Sequence, residues 1–383
     1  MDDKAILSMS DVIELESARP TCIESFAGAG GMSLGLSEAG FSVKLAFDNN
    51  DAAISTYRRN LGDHGVVRDA WKATGRQLLE DAGIDEVDLF SGGPPCQGFS
   101  KQRRGAHLLD DPRNGLVREY VRLVEELGPK AFLFENVEIV GQKRGRDLIV
   151  EMSERLSGYD QYEFRVNCAE FGLAQTRGRF LVIGLRKDLR AARPFLLKEA
   201  QRATVWDAIG DLPSPPSDGT EHPLFANHMR CRISAINEER ISHVPQGGGW
   251  QDIPFHLRID SQKVDAPVTG GWPDVYGRLA WRGQAPTITA GFDSFSRGRY
   301  GHPAENRSIT LREGARLQGF PDTFVFEGTR HDIRYQIGNA VPPPLARSAG
   351  VAIRRALGRQ NLPNHPRMQV PEGTERKQLS LAV

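Results

Sequence analysis

Short apolar runs alternate with amphipathic stretches over the first half of the chain. The runs are rich in β-branched and aromatic residues and predict strands at Thr21–Phe26, Val43–Phe47, Val87–Phe90, Ala131–Phe134 and Phe180–Leu185. Helical periodicity between them is clearest over Asn114–Leu127. This alternation predicts an α/β fold with a doubly wound, mostly parallel sheet and helices on both faces. In such sheets, ligands bind at the carboxyl ends of the strands.

The pattern changes between Ala191 and Gln284, where Pro, Gly and Trp are frequent and periodicity is weak. We interpret this region as a second, smaller irregular domain or a long insertion. A linker is the alternative, but a linker would expose costly aromatic rings at Trp206, Trp250, Trp272 and Trp281. A helix is predicted at Leu345–Leu357, and the polar tail 359–383 is expected to be disordered. The predicted first domain is therefore 19–190 plus 331–358, and the second is 191–330.

Charge and cysteine content narrow the classes of protein that fit. The 383 residues carry 49 Lys and Arg against 49 Asp and Glu, so global charge does not indicate a nucleic-acid partner. Four separated cysteines without a Cys-x-x-Cys spacing argue against a zinc site and a disulfide framework, which fits a reducing compartment. Neither a signal peptide nor an apolar run of about 18 residues is present. We therefore expect a cytoplasmic protein without a membrane span.

Basic residues are nevertheless clustered locally. Lys101, Arg103 and Arg104 lie close together, and five arginines fall between Arg297 and Arg316. Each cluster could contact phosphates, or could simply be a solvated surface.

A glycine-rich loop, Phe26–Ser33, follows the first predicted strand and opens a helix, Leu34–Ala39. Such a loop lets the backbone approach a ligand closely. The nicotinamide dinucleotide fingerprint requires Gly where this chain has Ser33, which argues against a dehydrogenase. Asp48 ends the second strand and could accept hydrogen bonds from both ribose hydroxyls. Asp69 follows Val66-Val67, is expected at the end of a third strand and could meet an adenine amine. An adenosyl ligand without a pyrophosphate satisfies these positions.

Cys96 and Glu135 each follow a predicted strand and are expected at the same edge of the sheet. Cys96 lies in Gly-Gly-Pro-Pro-Cys-Gln-Gly, where glycines and prolines bend and stiffen the backbone. A cysteine that only packs in the core is the alternative, but such cysteines rarely occupy this kind of segment. A thiol beside an acid suits covalent chemistry on a nucleobase.

Taken in order, the motifs of this chain resemble those of the DNA (cytosine-5)-methyltransferases of prokaryotic restriction-modification systems, which use S-adenosylmethionine. The matching segments are Phe26–Gly31, Asp48, Asp69, Pro94–Gln97, Asp111–Arg113 with Leu116, Glu135–Val137, Gln175–Arg179, Arg312–Asp322 and Gln336–Pro342. The resemblance extends from Thr21 to Leu357 except for the irregular middle. Asp48 departs from the family, which usually has Glu there, and the shorter side chain could weaken ribose binding.

The resemblance implies a set of catalytic residues. A Cys96 thiolate adds to carbon 6 of cytosine, which makes carbon 5 nucleophilic, and Glu135 protonates or hydrogen-bonds N3. We expect burial to raise the pKa of Glu135. Arg177 and Arg179 are candidates to supply positive charge to the sulfur, with surface ion pairs as the alternative. Asn136 is expected to order its loop.

The resemblance also implies binding residues. Those expected to contact S-adenosylmethionine, or its product S-adenosylhomocysteine, are Phe26, Gly28, Gly30, Gly31, Asp48, Asn49, Asp69, Ala70, Pro95, Leu116, Asn339 and Val341. Those expected to contact DNA are Ser100, Lys101, Arg103, Arg104 and Arg113. Candidates to read bases from the irregular region are His228, Arg230, Arg232, Arg240, Gln246, Trp250 and Gln251. No metal is implied, and the Arg312–Asp322 motif is expected to organise the second domain through internal bonds.

The implied reaction is methyl transfer from S-adenosylmethionine to carbon 5 of a cytosine flipped out of duplex DNA. Two alternatives stay open: a transfer RNA cytosine-5 methyltransferase of the same fold, and a catalytically silent DNA-binding module. The long middle region favours readout of a duplex, and the presence of Cys96, Glu135 and Arg177 argues against the silent module. We expect a monomer, with a cognate restriction endonuclease for the same site as a candidate partner.

Overall fold

The computed structural model describes residues 19–95, 115–142, 145–262 and 274–358. Seven strands in this part of the chain form one sheet in the order β3-β2-β1-β4-β5-β7-β6. Their bounds are β1 Thr21–Ser25, β2 Ser42–Asp48, β3 Gly65–Val67, β4 Leu89–Gly92, β5 Ala131–Val137, β6 Tyr159–Asn167 and β7 Gly178–Arg186. The five predicted strands are confirmed, with bounds that differ by at most three residues.

The sheet is parallel from β3 to β5 and antiparallel at β7 and β6. This agrees with the predicted mostly parallel, doubly wound fold. The sequence analysis missed β6, which is an edge strand with only one fully buried residue, Val166. A strand that buries so little carries almost no apolar run to recognise.

Helices cover both faces of the sheet. Their bounds are α1 Gly31–Glu38, α2 Asp51–Leu61, α3 Gly75–Ala82, α4 Gly115–Leu127, α5 Arg146–Arg155, α6 Val205–Ile209, α7 Ala235–Ser242, α8 Leu311–Leu317, α9 Arg330–Asn339 and α10 Pro343–Ala356. Residues from α3, α4 and α5 share one buried cluster with the sheet, and residues from α1 and α10 share another. The predicted C-terminal helix is thus confirmed, and it returns to the first helix of the fold.

The interface between α1 and α10 depends on glycine. A Cβ placed on Gly35 would lie 2.2 Å from the Pro343 carbonyl oxygen and 2.7 Å from the Ala346 Cβ. A Cβ on Gly31 would lie 2.4 Å from the Val341 carbonyl oxygen. The two segments therefore meet backbone to backbone, which places 339–341 beside the glycine-rich loop.

Residues 191–310 contain, where the structure describes them, only short helices, 3₁₀ turns and irregular backbone. The predicted irregular conformation is confirmed, and the region also packs a small apolar core around Ile241, Tyr276 and Phe295, unlike a linker. Trp206 is nevertheless 56% exposed and contacts Trp281 edge to face, so the ring is only partly covered. The domain boundaries themselves stay predictions.

The Arg312–Asp322 motif bonds internally, as expected. The Arg312 guanidinium donates to the carbonyl oxygens of Ala226, Pro321 and Phe324. Glu313 is buried and pairs with Arg307 at 2.8 Å. Arg312 and Arg307 therefore make their hydrogen bonds and ion pairs inside the protein and do not face a ligand.

No helix among the described residues is long and apolar enough to cross a membrane.

Candidate active site

A cavity of about 670 Å³ opens at the carboxyl ends of β1, β2, β4 and β5. The register explains this position, because Ser25 pairs with both Phe47 and Gly92, and Gly92 pairs with Phe134. The predicted residues that line the cavity are Phe26, Gly28, Asp48, Asn49, Asp69, Ala70, Pro95, Leu116, Glu135, Arg177, Arg179, Asn339 and Val341. Residues that are far apart in the chain thus meet around one space.

The glycine-rich loop has a left-handed backbone where it turns into the cavity. Phe26 and Gly28 have φ of 55° and 53°, and a positive φ is uncommon for a bulky residue such as Phe. Gly30 and Gly31 do not line the cavity. A Cβ on Gly30 would lie 2.8 Å from the Tyr57 ring, so Gly30 makes room for that side chain.

Asp48 is held by the backbone of two loops. Its Oδ2 accepts a hydrogen bond from the Gly28 amide at 2.9 Å, and its Oδ1 accepts one from the Asn50 amide at 3.0 Å. Burial raises the pKa of the Asp48 carboxyl, although these amide hydrogen bonds act in the opposite direction. The carboxylate is therefore fixed in position at the end of β2 and borders the cavity.

Asp69 lies farther along the same wall, after β3. Its Oδ1 accepts a hydrogen bond from the Trp71 amide at 3.1 Å and caps a short 3₁₀ turn. Asp69 and Asp48 thus occupy successive strand ends, as the sequence predicts.

Glu135 and Arg179 face each other at the other end of the cavity. The Arg179 Nε lies 2.8 Å from the Glu135 Oε1, and both side chains are about nine-tenths buried. Within the part of the chain that the structure describes, Oε1 has no aligned hydrogen-bond donor, so the contact with Arg179 is an ion pair. Burial raises the pKa of Glu135 as expected, although the charges of Arg179 and Arg177 oppose the rise. Glu135 can therefore hold a proton more readily than a solvated carboxyl.

Arg177 is buried and makes its hydrogen bonds to backbone. It donates to the carbonyl oxygens of Ile288, Gly338 and Ala340 at 2.9, 3.1 and 3.0 Å. Burial lowers the pKa of Arg177 to about 9, and the charge of Arg179 acts in the same direction. The guanidinium borders the cavity and joins its C-terminal wall to the irregular region.

Cys96 lies outside the described residues, as do Ser100, Lys101, Arg103, Arg104 and Arg113. Pro95, which precedes Cys96, lines the cavity. The Asn136 side chain donates to the Pro94 carbonyl oxygen at 2.9 Å, which agrees with the expectation that Asn136 orders its loop. The segment that leads to the cysteine is thus tied to the strand that carries Glu135.

Sequence reasoning did not identify several residues that border the cavity. Glu24 on β1 is 2% exposed and accepts a hydrogen bond from Ser33. His331 and Tyr335 on α9 stack with ring centroids 6.1 Å apart, and both line the cavity. An acid inside a predicted strand was the available signal for Glu24, because a buried charge needs a reason to be there.

Three of the base-reading candidates are engaged inside the protein. The fully buried His228 contacts Thr310 Oγ1 at 2.9 Å and the Pro213 carbonyl oxygen at 2.8 Å through its two ring nitrogens. Arg240 donates to the Leu257 carbonyl oxygen, and the Gln246 side chain accepts from a backbone amide. The prediction of His228 as a base contact is therefore wrong, since both of its ring nitrogens are engaged inside the protein.

Among the described residues, no group of three or more His, Cys, Asp or Glu side chains is placed to hold a metal ion.

Comparison with known proteins gives a consistent result. The sequence model described as C-5 cytosine-specific DNA methylase matches residues 21–355. The Type II methyltransferase M1.HphI of Haemophilus parahaemolyticus is 37% identical over 341 residues, which cover 87% of this chain and 86% of that protein. The Type II methyltransferase M.XorII of Xanthomonas oryzae pv. oryzae is 36% identical over 88% of this chain and 85% of its own length.

Solved structures share the architecture. A protein from an Escherichia coli prophage, assigned as a DNA modification methyltransferase, superimposes with a TM-score of 0.65 at 29% identity, over 88% of this chain and 99% of its own. The Entamoeba histolytica methyltransferase EhMeth superimposes with a TM-score of 0.60 over 88% of this chain and 99% of its own. At 16% identity, that second likeness concerns the fold alone.

Proposed function

Since the chain belongs to the C-5 cytosine-specific DNA methylase family and is a DNA (cytosine-5)-methyltransferase, we propose that it methylates a flipped-out cytosine through a covalent Cys96 adduct. The observation that carries this proposal is the single cavity shared by the adenosyl-binding candidates and Glu135. The neighbouring Pro95 brings the chain from that cavity directly to Cys96.

The order of the strands supports an orientation for S-adenosylmethionine. Asp69 follows β3, Asp48 ends β2, and Glu135 lies near the end of β5, so the acids are distributed across the sheet in that order. We assign adenine to the Asp69 end and the ribose to Asp48. The methionine portion then extends along β1 and β4 towards Glu135. When bound, this molecule supplies the methyl group.

The residues around Glu135 support the chemistry assigned to cytosine. A neutral Glu135 can donate a proton or a hydrogen bond to N3 while the Cys96 sulfur bonds to carbon 6. Carbon 5 would then take the methyl group as the bond between the methyl carbon and the sulfonium sulfur breaks, which leaves S-adenosylhomocysteine. The proton on carbon 5 would pass to water, and the Cys96 thiolate would be expelled as the carbon 5–carbon 6 double bond forms again. Arg179 holds Glu135 in place and keeps positive charge beside the pyrimidine. We propose that Arg177 supports the same site from behind, through the wall at 338–340.

Duplex DNA is the proposed substrate, and the region 191–330 is the proposed target-recognition domain. The similarity to Type II methyltransferases over 87–88% of this chain supports DNA over transfer RNA. A catalytically silent module has no support in the residues present. A restriction endonuclease for the same site and a monomeric state also belong to this proposal.

Expression in a host that lacks cytosine methylation tests the activity. Bisulfite sequencing of the host DNA should reveal 5-methylcytosine in one short sequence context. Marks confined to RNA would support the transfer RNA alternative instead. The absence of 5-methylcytosine from both DNA and RNA, with a well-folded protein present, would contradict the proposal.

The covalent step has its own test. Cys96→Ser should lower turnover by at least about 10³-fold while DNA binding survives, because the hydroxyl is a far weaker nucleophile. The matched control is Cys231→Ser, which changes a half-buried free thiol and should leave turnover unchanged. DNA containing 5-fluorocytosine should leave a denaturant-resistant adduct on the wild-type chain only. Turnover without such an adduct would remove Cys96 from the mechanism.

A further inference from the structure

A chain of hydrogen bonds runs from the cavity wall at Glu24 to a half-buried histidine. Ser33 Oγ donates to the Glu24 Oε2, and the Tyr57 hydroxyl donates to Ser33 Oγ at 2.9 Å. The same hydroxyl lies 3.0 Å from the His64 Nε2, and the two rings meet edge to face. Glu24, Ser33 and Tyr57 are all at most 2% exposed.

The fold makes room for this chain at specific positions. A Cβ on Gly65 would lie 2.4 Å from the Tyr57 ring, and one on Gly30 would lie 2.8 Å from it. Ser33 occupies the position where a nicotinamide dinucleotide fingerprint has glycine, and here its hydroxyl is the link to Glu24. Gly30 and Ser33 of the loop and Gly65 of β3 thus all border the buried Tyr57 side chain.

The number of available protons determines the donor and the acceptor of each hydrogen bond in this series. An ionised Glu24 can only accept, so Ser33 must donate to it, and Ser33 must then accept from Tyr57. The single Tyr57 proton is thereby used, so the His64 Nε2 must carry a proton and donate it to the Tyr57 oxygen. This arrangement fixes both the direction of the Glu24 carboxylate and the tautomer of His64.

Glu24 lies where a cation is expected. Along the sheet it stands on β1, between Asp48 on β2 and Glu135 on β5. Glu135 is paired with Arg179, and Asp48 is bound by two amides, whereas no ion pair involves Glu24 in the described part of the chain. The methionine portion of the cofactor carries an α-ammonium group that would neutralise this carboxylate.

We propose that Ser33, Tyr57 and His64 are positioning residues that hold an ionised Glu24 towards the α-ammonium group of the cofactor. This inference rests on the proposed cofactor site. Its consequence is selectivity for a ligand with an amino-acid portion over one that has only the adenosine and the sulfur.

Two ligands separate this role from a general effect on folding. S-adenosylhomocysteine carries the ammonium group, whereas 5′-methylthioadenosine has the same nucleoside and sulfur without it. Calorimetric titration of the full chain should show that Tyr57→Phe weakens S-adenosylhomocysteine about tenfold, the order expected for one buried hydrogen bond, and changes methylthioadenosine less than about twofold. Glu24→Gln should weaken the first ligand at least as much, and Tyr57→Phe should then add little.

Two further variants serve as controls. Tyr120→Phe removes another buried hydroxyl, which bonds only weakly to the Phe90 carbonyl oxygen at 3.4 Å, and should leave both affinities unchanged. His64→Gln keeps an N–H donor and should bind better than His64→Ala. If Tyr57→Phe does not fold, Ser33→Ala tests the same link.

Equal weakening of both ligands by Tyr57→Phe, or no weakening of either, would overturn the inference. Failure of the wild-type chain to bind S-adenosylhomocysteine would instead contradict the proposed cofactor site. The two failures are therefore distinguishable in one set of titrations.

Discussion

At the scale of single residues, Glu135 combines burial with two nearby cations, Arg179 and Arg177. Burial raises its pKa, and Arg179 beside Oε1 limits that rise. The acid form of Glu135 therefore persists to higher pH than in a solvated glutamate. Methyl transfer should rise with pH as the Cys96 thiolate forms, and then fall as Glu135 loses its proton.

Glu135→Gln should lower the single-turnover rate of methyl transfer about 10²- to 10⁴-fold, because an amide can donate a hydrogen bond but not a proton. The fall in rate on the alkaline side should also disappear in this variant. Affinity for S-adenosylhomocysteine should change less than about twofold. Glu138→Gln is the matched control, since Glu138 follows on the same segment but is exposed. An unchanged alkaline fall in the Gln variant would assign that pKa to another group.

Glu24 gives a second pH dependence that acts on binding. Burial raises the pKa of Glu24 to about 8 in the empty cavity, the Ser33 hydrogen bond opposes this rise, and the nearby Asp48 adds to it. An ammonium ligand requires the ionised form, so binding must release a proton below pH 8. Affinity for S-adenosylhomocysteine should thus rise about tenfold between pH 6 and pH 7.

Affinity for methylthioadenosine should stay nearly constant over that range, and Glu24→Gln should flatten the slope for S-adenosylhomocysteine. Burial lowers the pKa of His64, with Asp63 acting against this shift and Lys44 in the same direction, so His64 is displaced towards its neutral form. Parallel slopes for the two ligands would show that another group titrates.

Residues with a chemical role were predictable where a sequence motif contains them. They were less predictable where only tertiary packing brings them together. Asp48, Asp69 and Glu135 follow predicted strands, and the structure brings all three to one cavity. Gly30 was predicted beside the cofactor, but its missing side chain serves Tyr57 instead. Glu24 and Tyr57 gave no motif, because Tyr57 is linked to Glu24 only through Ser33, a contact that tertiary packing creates.

At the scale of elements, the contact between α1 and α10 closes the fold. Gly35→Ala should destabilise the protein by about 1–3 kcal/mol and lower Tm by several degrees, because the new Cβ meets the backbone of Pro343 and Arg347. The same displacement should weaken S-adenosylhomocysteine, since 339–341 form the cavity wall next to α10.

Gly158→Ala is the control for that substitution. A Cβ at Gly158 meets no atom within 4 Å, and the residue does not have a positive φ. Thermal unfolding monitored by circular dichroism should therefore separate the two variants. Equal Tm values would mean that α10 can move away from α1 at little cost.

Elements were predictable in proportion to the apolar surface they bury. β5 buries six of its seven residues and was recognised from its composition, whereas β6 mostly alternates exposed and half-exposed positions and was missed. The antiparallel direction of β7 also has no local signal, because the same apolar run fits either direction. In the structure, β7 follows β6 after residues 168–177 and pairs antiparallel with both β6 and β5.

At the scale of the whole molecule, Arg177 joins three parts of the chain. Its guanidinium links β7 to Ile288 in the irregular region and to Gly338 and Ala340 at the cavity wall. A residue predicted to act directly on the sulfur therefore also connects the cavity wall to the region that we propose recognises DNA. Sequence could place Arg177 near the site but could not show these carbonyl partners, because they lie more than 100 residues away.

The net charge of zero makes DNA affinity depend on where the cations lie. Lys101, Arg103 and Arg104 fall outside the described residues, and the sequence predicts that they contact phosphates. Changing all three to Ala should reduce the slope of log affinity against log salt by up to about 3, because each phosphate contact contributes about 0.9.

Lys187, Arg190 and Arg193 provide the matched control for this charge change. They are exposed and follow β7, whose end lies at the opposite edge of the sheet from the cavity. Removing these three cations should leave the slope almost unchanged, although the net charge falls equally. Fluorescence anisotropy with a duplex at several salt concentrations measures both slopes. Equal slopes for the two triple variants would mean that DNA affinity depends on the total charge of the protein. That result would contradict the predicted phosphate contacts after Cys96.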